Sequence, residues 1–189
     1  MKNYTITRYS FEELIPEARI KAIENERNSA YNYIPEEFLS ESMRQKLNYL
    51  LFGEDIYPGK LDISYSLGYS QGDGASFTGR INRSEALGLP WPANADYAEI
   101  VRRDRHYSHA YTIRAELFDD TGEELETPKE FADEIRKICG KLEEFGYAEI
   151  EEWSSEARAI ETLSEDGDIF LANGTISRPV GLAPMISLA

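Results

Sequence analysis

The sequence predicts an α+β fold, an antiparallel β-meander of three to four strands packed against N-terminal and C-terminal helices. Three observations lead there. Apolar residues recur at helical spacing near both ends of the chain, period-two alternation occupies the middle, and clusters of Gly, Pro, Asp and Asn separate the alternating stretches.

Residues 10–28 read as the first helix. Ser10 and Glu13 have capping-box spacing, Phe11, Leu14, Ile15, Ala18 and Ala22 recur on one face, and Pro16 falls in the opening turns, where a missing N–H costs little. A second helix begins near Pro35, carries the stripe Leu39, Met43, Leu47, Leu50 and Leu51, and ends at Gly53. From Leu61 the period changes. Leu61, Ile63, Tyr65, Leu67 and Tyr69 alternate with Asp62, Ser64, Ser66, Gly68 and Ser70, as in a half-buried strand. After a glycine-rich stretch, Ala75, Phe77 and Gly79 alternate with Ser76, Thr78 and Arg80. Residues 82–100 are rich in turn formers around Pro90 and Pro92, with a short helix expected near 97–101. A third strand is expected over 106–118, closed by the turn "DDTGEE".

The last third returns to helix. "TPKE" at 127–130 offers a Thr N-cap, a Pro at the first position and a Glu at the third. Phe131, Ile135, Ile138, Leu142 and Phe145 form one stripe, and Gly146 marks a kink or stop. Ile150, Trp153, Ala157, Ile160 and Leu163 form a second stripe, and Asn173-Gly174 signals a turn. No repeat, low-complexity segment or linker interrupts the chain. Residues 1–177 therefore read as one α+β domain and 178–189 as a tail of unassigned structure.

Charge is the strongest bulk signal. The chain of 189 residues has a net charge of −15, and residues 116–168 hold 19 Asp/Glu against 5 Lys/Arg, a net of −14. Such a field repels phosphates and attracts basic surfaces, including the grooves of nucleic-acid-binding proteins. It also serves simply as a solvated helix face. No apolar run reaches the roughly 18 residues of a membrane span, the N-terminus lacks the apolar core of a signal peptide, and Cys139 stands alone. A cytoplasmic protein without membrane association is expected.

Two blocks concentrate candidate chemistry. In "SQGDGAS" (70–76), Gly72 and Gly74 permit positive φ, and the bare amides around them suit an anion-binding nest; a hairpin turn between two strands explains the same residues. The flanking Ser70 and Ser76 do not sit in a nucleophile elbow. In "HYSHAY" (106–111), His106 and His109 would point to opposite faces of a strand, which argues against a shared metal, so no metal or cofactor is expected. Either histidine suits general acid/base work with Tyr107, Tyr111 or an Asp of a neighbouring strand, and His109 equally suits a hydrogen-bonded core position. Arg102, Arg103 and Arg105 form a basic island that either holds phosphate or pairs with acidic helices. Cys139, at the edge of a helical stripe, reads as a buried structural thiol. The tyrosines at 31, 33, 65, 69, 107 and 111 line the core or offer a binding surface.

"YSFEELIPEARIKAI", "ISYSLGYSQGDGASFTG", "RHYSHAYTI" and "AIETLSEDGDIFLANG" together resemble a family of small acidic proteins encoded by bacteriophages and other mobile elements. In that family an F-x-E-L-x-x-E-A opening precedes an S-Q-G-D-G-A-S-F block and an H-Y-x-H-x-Y block. The resemblance runs in order over most of the chain, and the segment after Ser177 matches nothing in it. It implies counter-defence, such as anti-CRISPR or anti-restriction activity, and maps the likeliest functional positions onto Ser70, Gln71, Asp73, Ser76, His106, His109 and Tyr111.

Three functions follow as expectations. In the first, the protein is a non-catalytic inhibitor whose acidic helices, with Glu143, Glu144, Glu151 and Glu152, bind the basic nucleic-acid channel of a host defence nuclease or its ribonucleoprotein complex. In the second, it is a ribonuclease or other phosphate-directed enzyme acting, for example, on guide RNA. His106 or His109 would then be the acid/base, Asp73 and Tyr111 would assist, and Arg105 or the glycine amides would hold phosphate. In the third, it is an antitoxin-like regulatory module that binds another protein. The sequence assigns no oligomeric state.

Overall fold

A computed structural model describes residues 7–32, 34–53, 61–86, 88–104, 106–165 and 168–177. The side chains of Tyr31 and Asn32 lie outside this description. So do Tyr33, Arg105 and the tail 178–189, and with them the expectations placed there. The fold is α+β. Its chain groups into two compact units, one of Pro35–Glu149 and one of Met1–Ile34 with Ile150–Ala189.

The larger unit holds a five-stranded antiparallel meander in sequence order: β1 (Asp62–Ser66), β2 (Gly74–Asn82), β3 (Tyr97–Arg102), β4 (Ile113–Phe118) and β5 (Glu124–Leu125). The strand count exceeds the expected three to four because the 97–101 segment is β3 rather than a short helix and Glu124–Leu125 adds β5 at the sheet edge. Ala98 and Ile100 are buried while Tyr97, Glu99 and Val101 are only partly covered. That is the alternation of a strand covered more on one face than the other. The strand expected over 106–118 is shorter. It begins at Ile113, and residues 106–112 instead form a loop ending in a single 3₁₀ turn, Ala110–Thr112. Ala75, Phe77, Ile81, Ala98, Ile100, Ile113, Ala115 and Leu117 make the buried face of the sheet.

Two helices complete this unit, the second of them only as far as Glu149. Helix α2 (Glu36–Phe52) buries Leu39, Met43, Leu47 and Leu51 of its predicted stripe, while Leu50 is half-buried and Asn48 is buried as well. The Ser40 and Tyr65 hydroxyls, 2.9 Å apart, tie it to β1. Helix α3 (Lys129–Trp153) buries Phe131, Ile135, Ile138, Cys139 and Leu142. Its start departs from the expected cap. The Thr127 hydroxyl donates to Ala115 O at 3.1 Å instead, which pins the helix to β4. Nor does Gly146 stop it: a Cβ there would lie 2.5 Å from Leu67 Cδ1, the tip of a side chain that would have to shift to admit it. Burial raises the Cys139 thiol to about 12, the behaviour of a structural residue.

The second unit is built on helix α1 (Pro16–Asn32) and helix α4 (Glu156–Glu165). Phe11, Leu14, Ala18, Ala22 and Ile23 are buried with Ala159, Leu163 and Phe170. Helix α1 starts later than position 10. Glu13 accepts from Ser10 N at 2.8 Å, but the pair closes a turn, the helix opens at Pro16, and Ile15 faces water. The break ahead of α4 comes at Ser154-Ser155, where Ser155 Oγ accepts from Arg158 N at 3.2 Å as an N-cap. That break resets the helical phase, so Ala157 and Ile160 are exposed where a continuous stripe would bury them. The Asn173-Gly174 turn forms as expected, with Leu171 N donating to Thr175 O, and Phe170 bridges to Tyr9 and Ile176.

Candidate functional site

The two motif blocks meet within the larger unit. Between β1 and β2, residues 67–73 form a loop that the Asp73 carboxylate closes from inside. Its Oδ1 accepts from Ser66 Oγ at 2.8 Å and Ser70 Oγ at 2.9 Å. Its Oδ2 accepts from Ser70 N at 2.7 Å and from the Tyr147 hydroxyl at 3.3 Å. Burial works against ionisation, yet the hydrogen bonds from Ser70, Ser66 and Gly68 outweigh it and bring the carboxyl down to about 2. The Ser70 amide and hydroxyl of this loop therefore serve the chain's own carboxylate. Asp73 is fully ionised at neutral pH and its oxygens are engaged, which suits a structural anion better than a general base.

Gly72 and Gly74 let the second block approach. A Cβ on Gly72 (φ +97°) would sit 2.5 Å from the Tyr107 ring, and one on Gly74 (φ +157°) would sit 2.6 Å from His109 Cα. The Tyr107 ring thus lies against the loop, and the His109 backbone lies against the first residue of β2. Tyr69, in the same loop, has φ +56° and packs its ring 4.7 Å from that of Tyr147. A left-handed non-glycine conformation of this kind costs roughly 1–3 kcal/mol, which the surrounding contacts offset.

These contacts leave an open cavity of about 550 Å³ lined by Gln71, Gly72, Asp73, Tyr107, His109 and Tyr111. The Tyr107 and His109 rings are near-parallel at 5.8 Å, and Tyr111 stands edge-on to His109 at 6.1 Å. His109 Nδ1 accepts from Tyr111 N at 3.3 Å, so a neutral imidazole carries its proton on Nε2. Glu143 of α3 borders the same electrostatic environment. Burial pushes its carboxyl up, the nearby His109 pulls it down, and the Asp73 and Glu144 charges push it up again.

Of the predicted site residues, the fold brings together Ser70, Gln71, Gly72, Asp73, Gly74, His109, Tyr111 and Glu143. His106 stays apart: it is exposed, and its backbone N–H donates to Asp104 Oδ1 at 2.8 Å. The pair of histidines on one strand does not exist, because residues 106–112 are not a strand. Ser76 is fully buried in β2, and its hydroxyl has no hydrogen-bond partner among the described residues. Glu144, Glu151 and Glu152 stand exposed on α3. Arg102 and Arg103 form no ion pair among the described residues, contrary to the expected pairing. Among the described residues, no three His, Cys, Asp or Glu side chains gather as metal ligands.

Sequence reasoning missed Ser66, Tyr147 and Arg136, whose Cζ lies 5.9 Å from the Tyr111 ring centre. For Tyr147 and Arg136 the signal was present as helical spacing. Positions 136, 143 and 147 are seven and four apart, one polar stripe on α3. No protein-family model, no curated protein and no solved structure matches this chain.

Proposed function

We propose that the protein is a counter-defence inhibitor, of anti-CRISPR type, that binds a basic nucleic-acid-binding surface of a host defence nuclease. The carrying observation is the unpaired carboxylates that each unit carries by itself, Glu144 in the larger and Glu151, Glu152 and Glu156 in the smaller. Among the described residues Glu144, Glu151, Glu152 and Glu156 are exposed and make no ion pair, whereas Asp133, Glu134 and Glu161 are neutralised along their own helices. Carboxylates left without a cation compete with phosphates for arginine and lysine. The mobile-element resemblance supports the same reading, and so does the engagement of Asp73 inside its own loop.

The test is target cleavage by a purified RNA-guided nuclease with the protein added before DNA. Expected is loss of cleavage, relieved by raised salt and by the triple change Glu144→Lys, Glu151→Lys, Glu152→Lys. Inhibition that ignores both would overturn the electrostatic reading.

One observation favours a second reading, a phosphate-directed enzyme such as a ribonuclease. Glu143, with its carboxyl raised by burial, lies within electrostatic reach of His109, as an acid/base pair would require. Guide RNA incubated with the protein separates the two. Fragmentation lost in His109→Ala supports the enzyme; intact RNA at equal protein concentration removes it.

A further inference from the structure

The cavity between the two motif blocks has a chemistry of its own. Its walls are three aromatic rings, one carboxylate and Gln71, and among the described residues neither lysine nor arginine lines it. Aromatic faces carry a negative quadrupole and accept either a flat cation or a nucleobase. Charge decides between them. A nucleotide would bring its phosphate towards Asp73, towards the nearby Glu143, and into the field of a chain of net charge −15. The Ser70 amide of the loop donates to Asp73 and is not free for that phosphate.

A guanidinium meets the opposite situation. Tyr107 and His109 present near-parallel rings, Tyr111 closes a third side while remaining 79% exposed, and the Asp73 carboxylate lies in the wall. Tyr111 already serves as such a platform, because the Arg136 guanidinium lies 5.9 Å from its ring centre while pairing with Asp133 at 2.9 Å. The volume, about 550 Å³, is in the range of pockets that hold small organic groups.

Building on the basic-partner reading above, we infer that the Tyr107–His109–Tyr111 pocket is a receptor for a single arginine side chain presented by that partner. The acidic helices supply long-range attraction, and the pocket supplies the fixed point of attachment. Arginine suits it better than lysine, since a planar guanidinium stacks on rings while the negative field of Asp73 and Glu143 favours its charge.

The test uses the isolated full chain and Nα-acetyl-arginine amide, with Nα-acetyl-norleucine amide and adenosine monophosphate as comparisons. The chain has only two histidines, so the ring C–H signals of His109 report the pocket and those of His106 act as an internal reference. Expected is a saturable shift of the His109 signals by the arginine probe alone. Tyr111→Ala should weaken it roughly 3- to 30-fold, and Tyr111→Phe should preserve it. The exposure of Tyr111 makes both variants compatible with folding. A response equal for the norleucine amide, a stronger response to the nucleotide, or an arginine response centred on His106 would overturn the inference. Nuclease inhibition by a protein whose pocket takes no arginine probe would overturn the pocket and leave the inhibitor reading standing. A pocket that binds the probe in a protein that inhibits no nuclease would do the reverse.

Discussion

Asp73 shows how far residue chemistry can be read before the fold is known. Its flanking glycines and serines are legible in the sequence as a special loop. Which anion that loop holds is not, since the Ser66 and Tyr147 hydroxyls reach it from β1 and α3. The consequence is a defined pH dependence. The folded carboxyl lies at about 2 against an ordinary value of 3.8, so its stabilisation is present above 3.8 and is lost as pH falls towards about 2. Asp73→Asn would turn an amide N–H₂ towards donors already present. It should destabilise the larger unit by about 1–2 kcal/mol at neutral pH, towards the lower end for a charged hydrogen-bonded group because the loop is partly solvated. Urea denaturation should show this gap closing between 3.8 and about 2. A gap independent of pH would assign the loss to packing instead.

At the scale of elements, local pattern succeeded where one residue sets a boundary and failed where packing does. The α2 stripe, the "DDTGEE" turn and the Asn173-Gly174 turn all form as their residues dictate. Strand β3 was missed because turn residues around Pro90 and Pro92 precede it and a six-residue stretch is too short for its period to speak clearly. The 106–112 segment was misread as strand because its aromatic residues alternate. Yet they serve the loop and the pocket rather than a pleat. Gly174 marks the opposite case, a strictly local requirement with a distant cause. It has φ +80°, and a Cβ there would fall 2.0 Å from the Ala18 carbonyl oxygen of α1. Gly174→Ala should therefore cost roughly 2–4 kcal/mol, more than loss of glycine at an open turn. Hydrogen exchange should locate that loss in α1 and α4, and unchanged protection there would refute the close approach.

For the whole molecule, charge dominates. A chain of net charge −15 repels itself, so added salt should raise its unfolding temperature even as it weakens binding to a basic partner. Thermal scans and partner titrations over one salt series should move in opposite directions. A fall in both would mean that the eight ion pairs among the described residues outweigh the net repulsion. Among the described residues, no helix is long and apolar enough to cross a membrane. By itself the sequence determined the α+β class, most helix spans, the acidic block and the two unusual motif blocks, because periodicity, capping and charge are written in neighbouring residues. Only the tertiary structure decided that Gly72 underlies Tyr107, that Gly74 underlies His109, and that Asp73 is held within its own loop. The two glycine contacts join residues about 35 positions apart and the Tyr147 hydroxyl reaches Asp73 from 74 positions away, and no local pattern encodes such pairings.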